Sequence, residues 1–197
     1  VLRAGDDEVV ARAAATDAMP VVNGGGSRDH PTQALADLYS IKRELGQIDG
    51  TTVAVVGRLE HRNVNALLKG LAMFKGVRVI LVPFSGQVPD DVVEHCKERG
   101  LKLETHKEID AVSEADAIYL NGPRTVAHMQ LLRSRNSGNL RIDEQFMAML
   151  KPHCVIMDPM QRSGDFSIEV EDQRLAFYRQ AENALYVRMA VICHALG

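Results

Sequence analysis

The first clues in this sequence are absences. It has no tryptophan and only 5% aromatic residues, yet 46% of its 197 residues are hydrophobic, as in ordinary globular proteins. Its cysteines, Cys96, Cys154 and Cys193, are far apart and form no C-x-x-C pair, which argues against a disulfide framework and a zinc site. No apolar run approaches the roughly 20 residues that a membrane span needs, and the N-terminus does not resemble a signal peptide. We therefore expect a cytoplasmic globular protein without membrane contact.

The charges also exclude classes of partner. The chain carries 23 Lys and Arg against 26 Asp and Glu, for a formal net charge of -3, and its basic residues form no run. This distribution predicts no nucleic-acid partner. The loop that begins at Gly57 lacks the G-x-G-x-x-G pattern, which disfavours a dinucleotide-binding oxidoreductase and leaves a generic nucleotide-binding module as a minor alternative.

Short runs rich in Val and Ile alternate with segments of helical periodicity. This alternation predicts an α/β fold, a doubly wound and mainly parallel sheet with helices on both faces, in a Rossmann-like three-layer sandwich. No internal boundary is evident, so residues 1–197 are predicted to form a single domain. The predicted strands are 20–23, 52–57, 77–82, 101–104, 117–121 and 154–158, and the predicted helices are 31–45, 64–74, 90–99, 126–135, 144–150 and 174–196.

A glycine-rich turn, residues 23–29, leads into the helix that begins near Pro31. Backbone amides at such a helix start favour an anion or a polarised carbonyl. His30 and Gln33 lie three residues apart on this opening turn, where an imidazole and a carboxamide could address the two ends of a carbamoyl group. A histidine that merely begins a helix, without a ligand, is the open alternative.

Three further loops follow predicted strands, where ligands bind in open α/β sheets. Arg58 and Arg62 could clamp a carboxylate or phosphate, although a solvated basic loop explains them equally well. Prolines accompany the other two loops and favour tight turns that expose backbone carbonyls, although structural turns alone would explain them too. These two loops are Asn121-Gly122-Pro123-Arg124 and Asp158-Pro159-Met160-Gln161-Arg162.

Two motifs make the chain resemble the aspartate/ornithine carbamoyltransferase family, in particular its amino-acid-binding domain. His30-Pro31-Thr32-Gln33-Ala34-Leu35-Ala36-Asp37-Leu38 resembles the family's H-P-T-Q-x-L-x-D helix. The stretch from Tyr178 to Ala190 is similar to its closing Y-x-R/Q-Q-A-x-N-G helix. Both motifs occur in the family's order, and the resemblance runs over essentially the whole chain.

The resemblance implies attack of an amino acid's amine on carbamoyl phosphate, in the aspartate-type reaction of pyrimidine biosynthesis. It implies catalytic contacts from His30 and Gln33 to the carbamoyl group, and backbone carbonyls from the Pro159-Met160 turn. No metal or organic cofactor is expected, the partners are the two small-molecule substrates, and a full-length protein would be a homotrimer while the fragment could be monomeric. The implied substrate-binding residues are Thr32, Arg62, Asn63, Arg124, Pro159, Met160 and Arg162.

The chain also departs from the family pattern. Aligned from Gly57 without a gap, Asn63 stands where G-D-L-K-x-G-R-T has its arginine, and Gly122 stands where T-R-x-Q has its arginine. Arg62 and Arg124 lie one and two positions away and could receive the acceptor's carboxylate. In the H-P-L/M-P-R turn, Asp158 replaces the histidine. The S-T-R-T-R loop of the family's carbamoyl-phosphate domain is absent, so the isolated chain is predicted to be inactive. The alternative is a non-catalytic binding or assembly homologue.

Overall fold

The structure, a computed structural model, describes residues 1–122, 140–159 and 166–197. The strands are β1 (Thr52–Arg58), β2 (Arg78–Ser85), β3 (Lys102–Thr105), β4 (Ala117–Asn121), β5 (Leu140–Ile142), β6 (Val155–Met157) and β7 (Phe166–Ile168). The centre is a five-stranded sheet in the order β3-β2-β1-β4-β6, and every strand pair in it is parallel. Strands β5 and β7 form a second, two-stranded parallel sheet.

Six α-helices and one 3-10 helix accompany the sheet in the described part of the chain. They are α1 (Asp7–Ala15), α2 (Pro31–Leu45), α3 (Arg62–Leu71), α4 (Asp90–Glu98), α5 (Glu144–Met149) and α6 (Phe177–Leu196), with a 3-10 helix at Ile109–Glu114. Pro31 occupies the first turn of α2, and Gly46 ends that helix in the left-handed conformation that glycine tolerates. Among the described helices, none is both long enough and apolar enough to cross a membrane.

Alternate side chains of the central strands enter two separate hydrophobic cores. Val53 and Val55 of β1 pack with α2, α3 and α4 on one face of the sheet. Ala54 and Val56 pack on the other face with the 3-10 helix and α5. Strands that are buried on both faces explain the continuous apolar runs in the sequence. The predicted three-layer α/β fold is confirmed.

The departures from the predicted elements are local. Residues 20–23 form no strand of the central sheet, because Asn23 makes only an isolated parallel bridge to Leu2. Strands β5 and β7 have three residues each, too few for a periodic pattern, and were not predicted. Helix α1 was also missed, although Asp6 caps it by accepting a hydrogen bond from the backbone amide of Glu8. The predicted helix at 126–135 lies outside the described residues.

The strand order reverses between β1 and β4, and this places a crevice at their carboxyl ends. Gly57 pairs with Asn121 at this point. It has φ of 121°, and a Cβ there would lie 2.2 Å from the carbonyl oxygen of Asn121. Glycine is therefore required for β1 and β4 to run side by side to the edge of the crevice.

Candidate functional site

The glycine-rich turn folds over the beginning of α2. His30 is the N-cap residue of that helix, but its ring makes no capping hydrogen bond and remains available for other contacts. The ring packs over Gly25, whose φ is 120° and whose Cβ, if present, would lie 3.2 Å from the imidazole. The hydroxyl of Thr32 lies 3.4 Å from His30 Nδ1. The turn therefore holds His30 at the carboxyl edge of the sheet, with Nδ1 facing Thr32.

His30 is a neutral group in a positive environment. Burial, together with the positive charges of Arg62, Arg3 and Arg188, lowers the pKa of His30 to about 4, while Asp29 has the smaller opposite effect. The ring is therefore uncharged at neutral pH and can donate one hydrogen bond and accept another. Three guanidinium groups near one neutral imidazole favour a ligand with negative charge and a carbonyl oxygen.

Gln33 belongs to a buried hydrogen-bond network rather than pointing alone into the crevice. Its Nε2 donates to Asp37 Oδ1 at 2.8 Å, and its Oε1 accepts a hydrogen bond from Arg188 at 3.0 Å. Asp37 Oδ1 also accepts from Gln180 Nε2 at 2.7 Å. Gln180 Oε1 in turn accepts from the backbone amide of Asp158 at 2.8 Å. The network thus joins α2, α6 and the end of β6.

Arg62 is the basic residue that enters the site from the second loop. His61 caps α3 by accepting a hydrogen bond from the amide of Asn63, and Arg62 is the first residue of the helix. The Arg62 side chain is buried and donates to the carbonyl of Gly26, within the glycine-rich turn. Arg58 instead pairs with Glu60 at 2.6 Å. Of the two arginines proposed as clamps, Arg62 therefore lies beside His30.

The ends of β4 and β6 complete the described part of the edge. Asn121 is buried, and its Nδ2 donates to the carbonyl of Arg58 at 2.8 Å. Asp158 is also buried, and Pro159 follows it half-buried. Three of the predicted substrate-binding residues, Arg124, Met160 and Arg162, lie outside the described residues.

The sequence predicted which segments meet at this edge, but it gave no role to several of the side chains there. The structure brings His30, Thr32 and Arg62 together, and links Gln33 to them through Arg188. Arg188 and Asp37 stand inside the two family motifs but had been given no role. The four-residue spacing from Gln33 to Asp37 was a usable signal, because residues four apart share one face of a helix. The position of Arg3, by contrast, follows from tertiary structure alone.

Side chains that could ligate a metal do not converge in the described ranges. No group of three or more His, Cys, Asp or Glu residues there lies close enough together to hold a metal ion. Polar atoms of another kind gather at this edge. The side-chain oxygens of Asn63 and Asn121 are buried and have no hydrogen-bond partner within the described residues. Buried acceptors without partners are costly, so this edge can receive a ligand that donates hydrogen bonds.

Comparison with known families gives two matches along the chain. Residues 49–195 match the aspartate/ornithine carbamoyltransferase Asp/Orn binding domain, and residues 1–43 match the carbamoyl-P binding domain of the same family. His30, Thr32 and Gln33 thus fall in the stretch that resembles the carbamoyl-phosphate side. Arg62 and Asn63 fall in the stretch that resembles the amino-acid side.

Individual relatives agree with the family matches. The chain is 36% identical to the chloroplastic aspartate carbamoyltransferase of Oryza sativa over 200 residues, which cover 98% of this chain and 55% of that protein. It is 33% identical over 206 residues to the multifunctional protein ura1 of Schizosaccharomyces pombe, covering all of this chain and 9% of that one. The chain therefore spans about half the length of the rice relative.

Solved structures show the same likeness. Aspartate transcarbamoylase from Trypanosoma cruzi in complex with N-(phosphonacetyl)-L-aspartic acid superposes with a TM-score of 0.86 at 30% identity, covering 98% of this chain and 64% of that one. The same enzyme in complex with carbamoyl phosphate and aspartate gives a TM-score of 0.85 at 30% identity, covering 96% and 63%. None of these findings supports the alternative of a non-catalytic homologue.

Proposed function

Because this chain belongs to the aspartate/ornithine carbamoyltransferase family, we propose that it forms the acceptor side and part of the carbamoyl-phosphate side of an aspartate carbamoyltransferase. The reaction is attack of the aspartate amine on the carbamoyl carbon. The bond from that carbon to the phosphate oxygen breaks, phosphate leaves with the electron pair, and the amine loses a proton. The observation that carries the proposal is the neutral His30 ring at a helix start, beside the guanidinium of Arg62.

On the carbamoyl side, His30 supplies a hydrogen-bond donor without a charge. When the Thr32 hydroxyl donates to Nδ1, the ring proton remains on Nε2 and can be donated to the carbamoyl oxygen. That bond strengthens as negative charge develops on the oxygen during attack. The oxygen of Gln33 accepts from the carbamoyl NH2 group and completes its orientation.

On the acceptor side, Arg62 receives a carboxylate of the amino acid. The loop from Gly57 to Arg62 is one residue shorter than the family's G-D-L-K-x-G-R pattern, so a single gap aligns Arg62 with the family's arginine. Asn63 then replaces a threonine rather than a guanidinium. The buried position of Arg62 supports this alignment, because a charge in a partly closed crevice binds a carboxylate more strongly than an exposed one.

An apolar groove supports the proposal that a larger part of the carbamoyl-phosphate domain packs against these residues in the active enzyme. The groove has a volume of about 680 Å³ and lies on the outer face of α2 and α6. Several of the large apolar side chains there are substantially exposed, including Leu35, Tyr39 and Tyr186. Exposed apolar patches of this kind mark interfaces. We infer that the groove seats the rest of that domain, and that residues 1–197 alone do not catalyse transfer.

Three other expectations remain part of the proposal. The first is the homotrimer of the full-length protein, which light scattering would test. The second is the cytoplasmic location, which cell fractionation would test. The third is the set of substrate contacts made by Arg124, Met160 and Arg162. Arg124 is assigned to the acceptor, and Met160 and Arg162 are assigned to the turn that begins at Pro159. Single alanine variants with separate KM measurements for each substrate would assign them.

The deciding experiment is a titration of the whole gene product. Calorimetry with carbamoyl phosphate comes first, followed by aspartate, ornithine and related amino acids added to the saturated complex, with turnover assayed in parallel. We expect carbamoyl phosphate to bind first and aspartate to be carbamoylated. Failure of the whole gene product to bind carbamoyl phosphate, or to carbamoylate any amino acid, would refute the proposal.

A further inference from the structure

We propose that Asp37 is a positioning residue for carbamoyl transfer, which fixes the direction of the Gln33 carboxamide so that its oxygen faces the catalytic edge. Asp37 lies on α2 four residues after Gln33 and is completely buried. It does not touch the crevice and has no catalytic role of its own. The inference rests on the proposed function, because it concerns how Gln33 meets the carbamoyl group.

The Oδ1 atom of Asp37 only accepts hydrogen bonds, both in the carboxylate and in the neutral acid that carries its proton on Oδ2. A carboxamide has a donating and an accepting end that differ little in shape, so its direction is set by its neighbours. Asp37 Oδ1 lies 2.8 Å from Gln33 Nε2. With an obligatory acceptor on the inner side, the NH2 group must point inward and the oxygen outward. An inverted amide would place two oxygens against each other.

The outward oxygen of Gln33 remains available to a substrate. Within the described part of the chain it accepts one hydrogen bond, from Arg188 at 3.0 Å. A carboxamide oxygen accepts two, so Arg188 agrees with the direction that Asp37 imposes and leaves the second position for an N–H of the carbamoyl group. Arg188 also lies close enough to His30 to lower its pKa, so the Gln33 oxygen and the imidazole share one guanidinium as a neighbour.

The same carboxylate oxygen directs a second amide. Gln180 Nε2 donates to Asp37 Oδ1 at 2.7 Å, so Gln180 Oε1 points away and accepts from the amide of Asp158 at 2.8 Å. Asp158 precedes Pro159, the start of the turn predicted to supply backbone carbonyls. One buried acceptor therefore sets the direction of Gln33 and also anchors the end of β6.

The energetic cost of Asp37 points to a role beyond stability. It is buried between helices and makes no ion pair within the described residues, although a buried carboxylate without a partner charge is strongly disfavoured. An apolar side chain of similar size would often be as stable at such a position. What an apolar side chain cannot supply is an acceptor for two amides. We infer that orientation of Gln33 is what the carboxylate contributes.

The first test compares Asp37→Ala with Asp37→Asn in the whole gene product. Alanine removes the acceptor, whereas asparagine keeps one oxygen that can accept from both glutamines. We expect Asp37→Ala to lower kcat by about 100-fold, the scale expected for misplacing a catalytic group, with the acceptor KM changing less than about threefold. Asp37→Asn should restore most of kcat. Ser40→Ala, which removes another α2–α6 hydrogen bond, from Asn183, is the matched control and should keep the wild-type kcat.

A double-mutant cycle separates positioning from general support of the fold. If Asp37 acts through Gln33, Asp37→Ala should lower kcat less than about twofold once Gln33→Ala is present. A full additional loss in that background would overturn the inference, and so would a folded Asp37→Ala protein with wild-type kcat. Wild-type protein without carbamoyl transfer would instead refute the proposed function, so the two failures are distinguishable.

A reciprocal exchange covers the case in which Asp37→Ala does not fold. Gln33→Glu places two acceptors face to face and should lower both kcat and the unfolding temperature. Adding Asp37→Asn supplies a donor opposite the new carboxylate and should recover at least about tenfold in kcat, together with thermal stability. If Gln33→Glu already has wild-type kcat, or if Asp37→Asn recovers nothing, Asp37 does not orient this side chain.

Discussion

The two halves of the candidate site are organised in opposite ways. On the α2 side, Gln33 is already oriented, because Asp37 and Arg188 bond its two ends. On the side built from the ends of β1 and β4, the buried side-chain oxygens of Asn63 and Asn121 have no partner within the described residues. In one half both ends of Gln33 are bonded within the protein, and in the other half buried acceptors lack a partner among the described residues.

This difference indicates whether each half contributes mainly to the chemical step or mainly to binding of the acceptor. Groups held before the substrate arrives lose little freedom in the transition state, which suits the carbamoyl group that reacts. Groups that gain partners only on binding suit recognition of the acceptor, because an amino acid that fails to supply the missing donors leaves them unpaired. We therefore expect substitutions on the α2 side to change mainly kcat, and substitutions on the β1–β4 side to change mainly the acceptor KM.

The largest effect is expected from His30→Ala. Loss of the donor to the carbamoyl oxygen should lower kcat by about 100- to 1000-fold, the range found when one such donor is removed. The acceptor KM should change little. Steady-state kinetics and circular dichroism of the whole gene product would measure this. His153→Ala, an exposed histidine that pairs with Asp116 away from the glycine-rich turn, is the control. If His30→Ala kept the wild-type kcat, the α2 side would not be the preorganised half of the site.

The second effect concerns Arg62 and should appear in the other kinetic constant. Arg62→Met keeps the length of the side chain but removes a charge-assisted contact worth about 1.5–3 kcal/mol, so the acceptor KM should rise about 10- to 100-fold. Arg28→Met is the matched control, because Arg28 is exposed and pairs with Asp91 on the surface. A change confined to kcat would place Arg62 with the carbamoyl side and weaken the division between the halves.

The sequence anticipated the preorganised half better than the other. His30 and Gln33 belong to one helical turn, and the local pattern of glycines followed by Pro31 was sufficient to place them. Arg62 was also singled out, but an alignment without a gap set Asn63 against the family's arginine, and the sequence alone does not decide between this alignment and the one proposed above. The lowered pKa of His30 was not predictable, since it depends first on burial and then on Arg62, Arg3 and Arg188, which only the tertiary structure brings close.

His30 at the start of α2 and Asp37 within it are two buried groups whose protonation changes the free energy of unfolding in opposite directions. The pKa of His30 falls from 6.5 to about 4 on folding, so folding releases protons and stability rises with pH between about 4 and 6.5. Desolvation raises the pKa of Asp37 from 3.8 to about 7, against hydrogen bonds from Gln180 and Gln33. Folding then takes up protons, and stability falls with pH between about 4 and 7. In the wild type the two slopes largely cancel from about pH 4 to 6.5.

Removing either group should expose the other. Asp37→Asn should make the free energy of unfolding rise more steeply with pH in this window, and His30→Asn should make it fall relative to wild type. Each change in slope is at most about 1.4 kcal/mol per pH unit for one proton. Urea unfolding between pH 4.5 and 7 would measure both variants against the wild type. Unchanged slopes in both would mean that neither group titrates differently in the folded and unfolded states.

The smallest effect tests the unsatisfied half directly. Asn63 has a buried oxygen that finds no partner among residues 1–122, 140–159 and 166–197, so Asn63→Ala should change the free energy of unfolding by less than about 1 kcal/mol, or stabilise the protein slightly. The same variant should raise the acceptor KM about three- to tenfold, because one hydrogen bond to the ligand is lost.

Asn65→Ala provides the contrast on the same helix. The Nδ2 of Asn65 donates to the carbonyl of Arg28 at 3.1 Å, so its removal should cost about 1 kcal/mol of stability with less effect on KM. Urea unfolding and acceptor titrations of both variants separate the two roles. If Asn63→Ala destabilised the protein by about 2 kcal/mol or more and left KM unchanged, its oxygen would have a structural partner. The β1–β4 side would then be as preorganised as the α2 side, with its hydrogen bonds formed before the ligand binds.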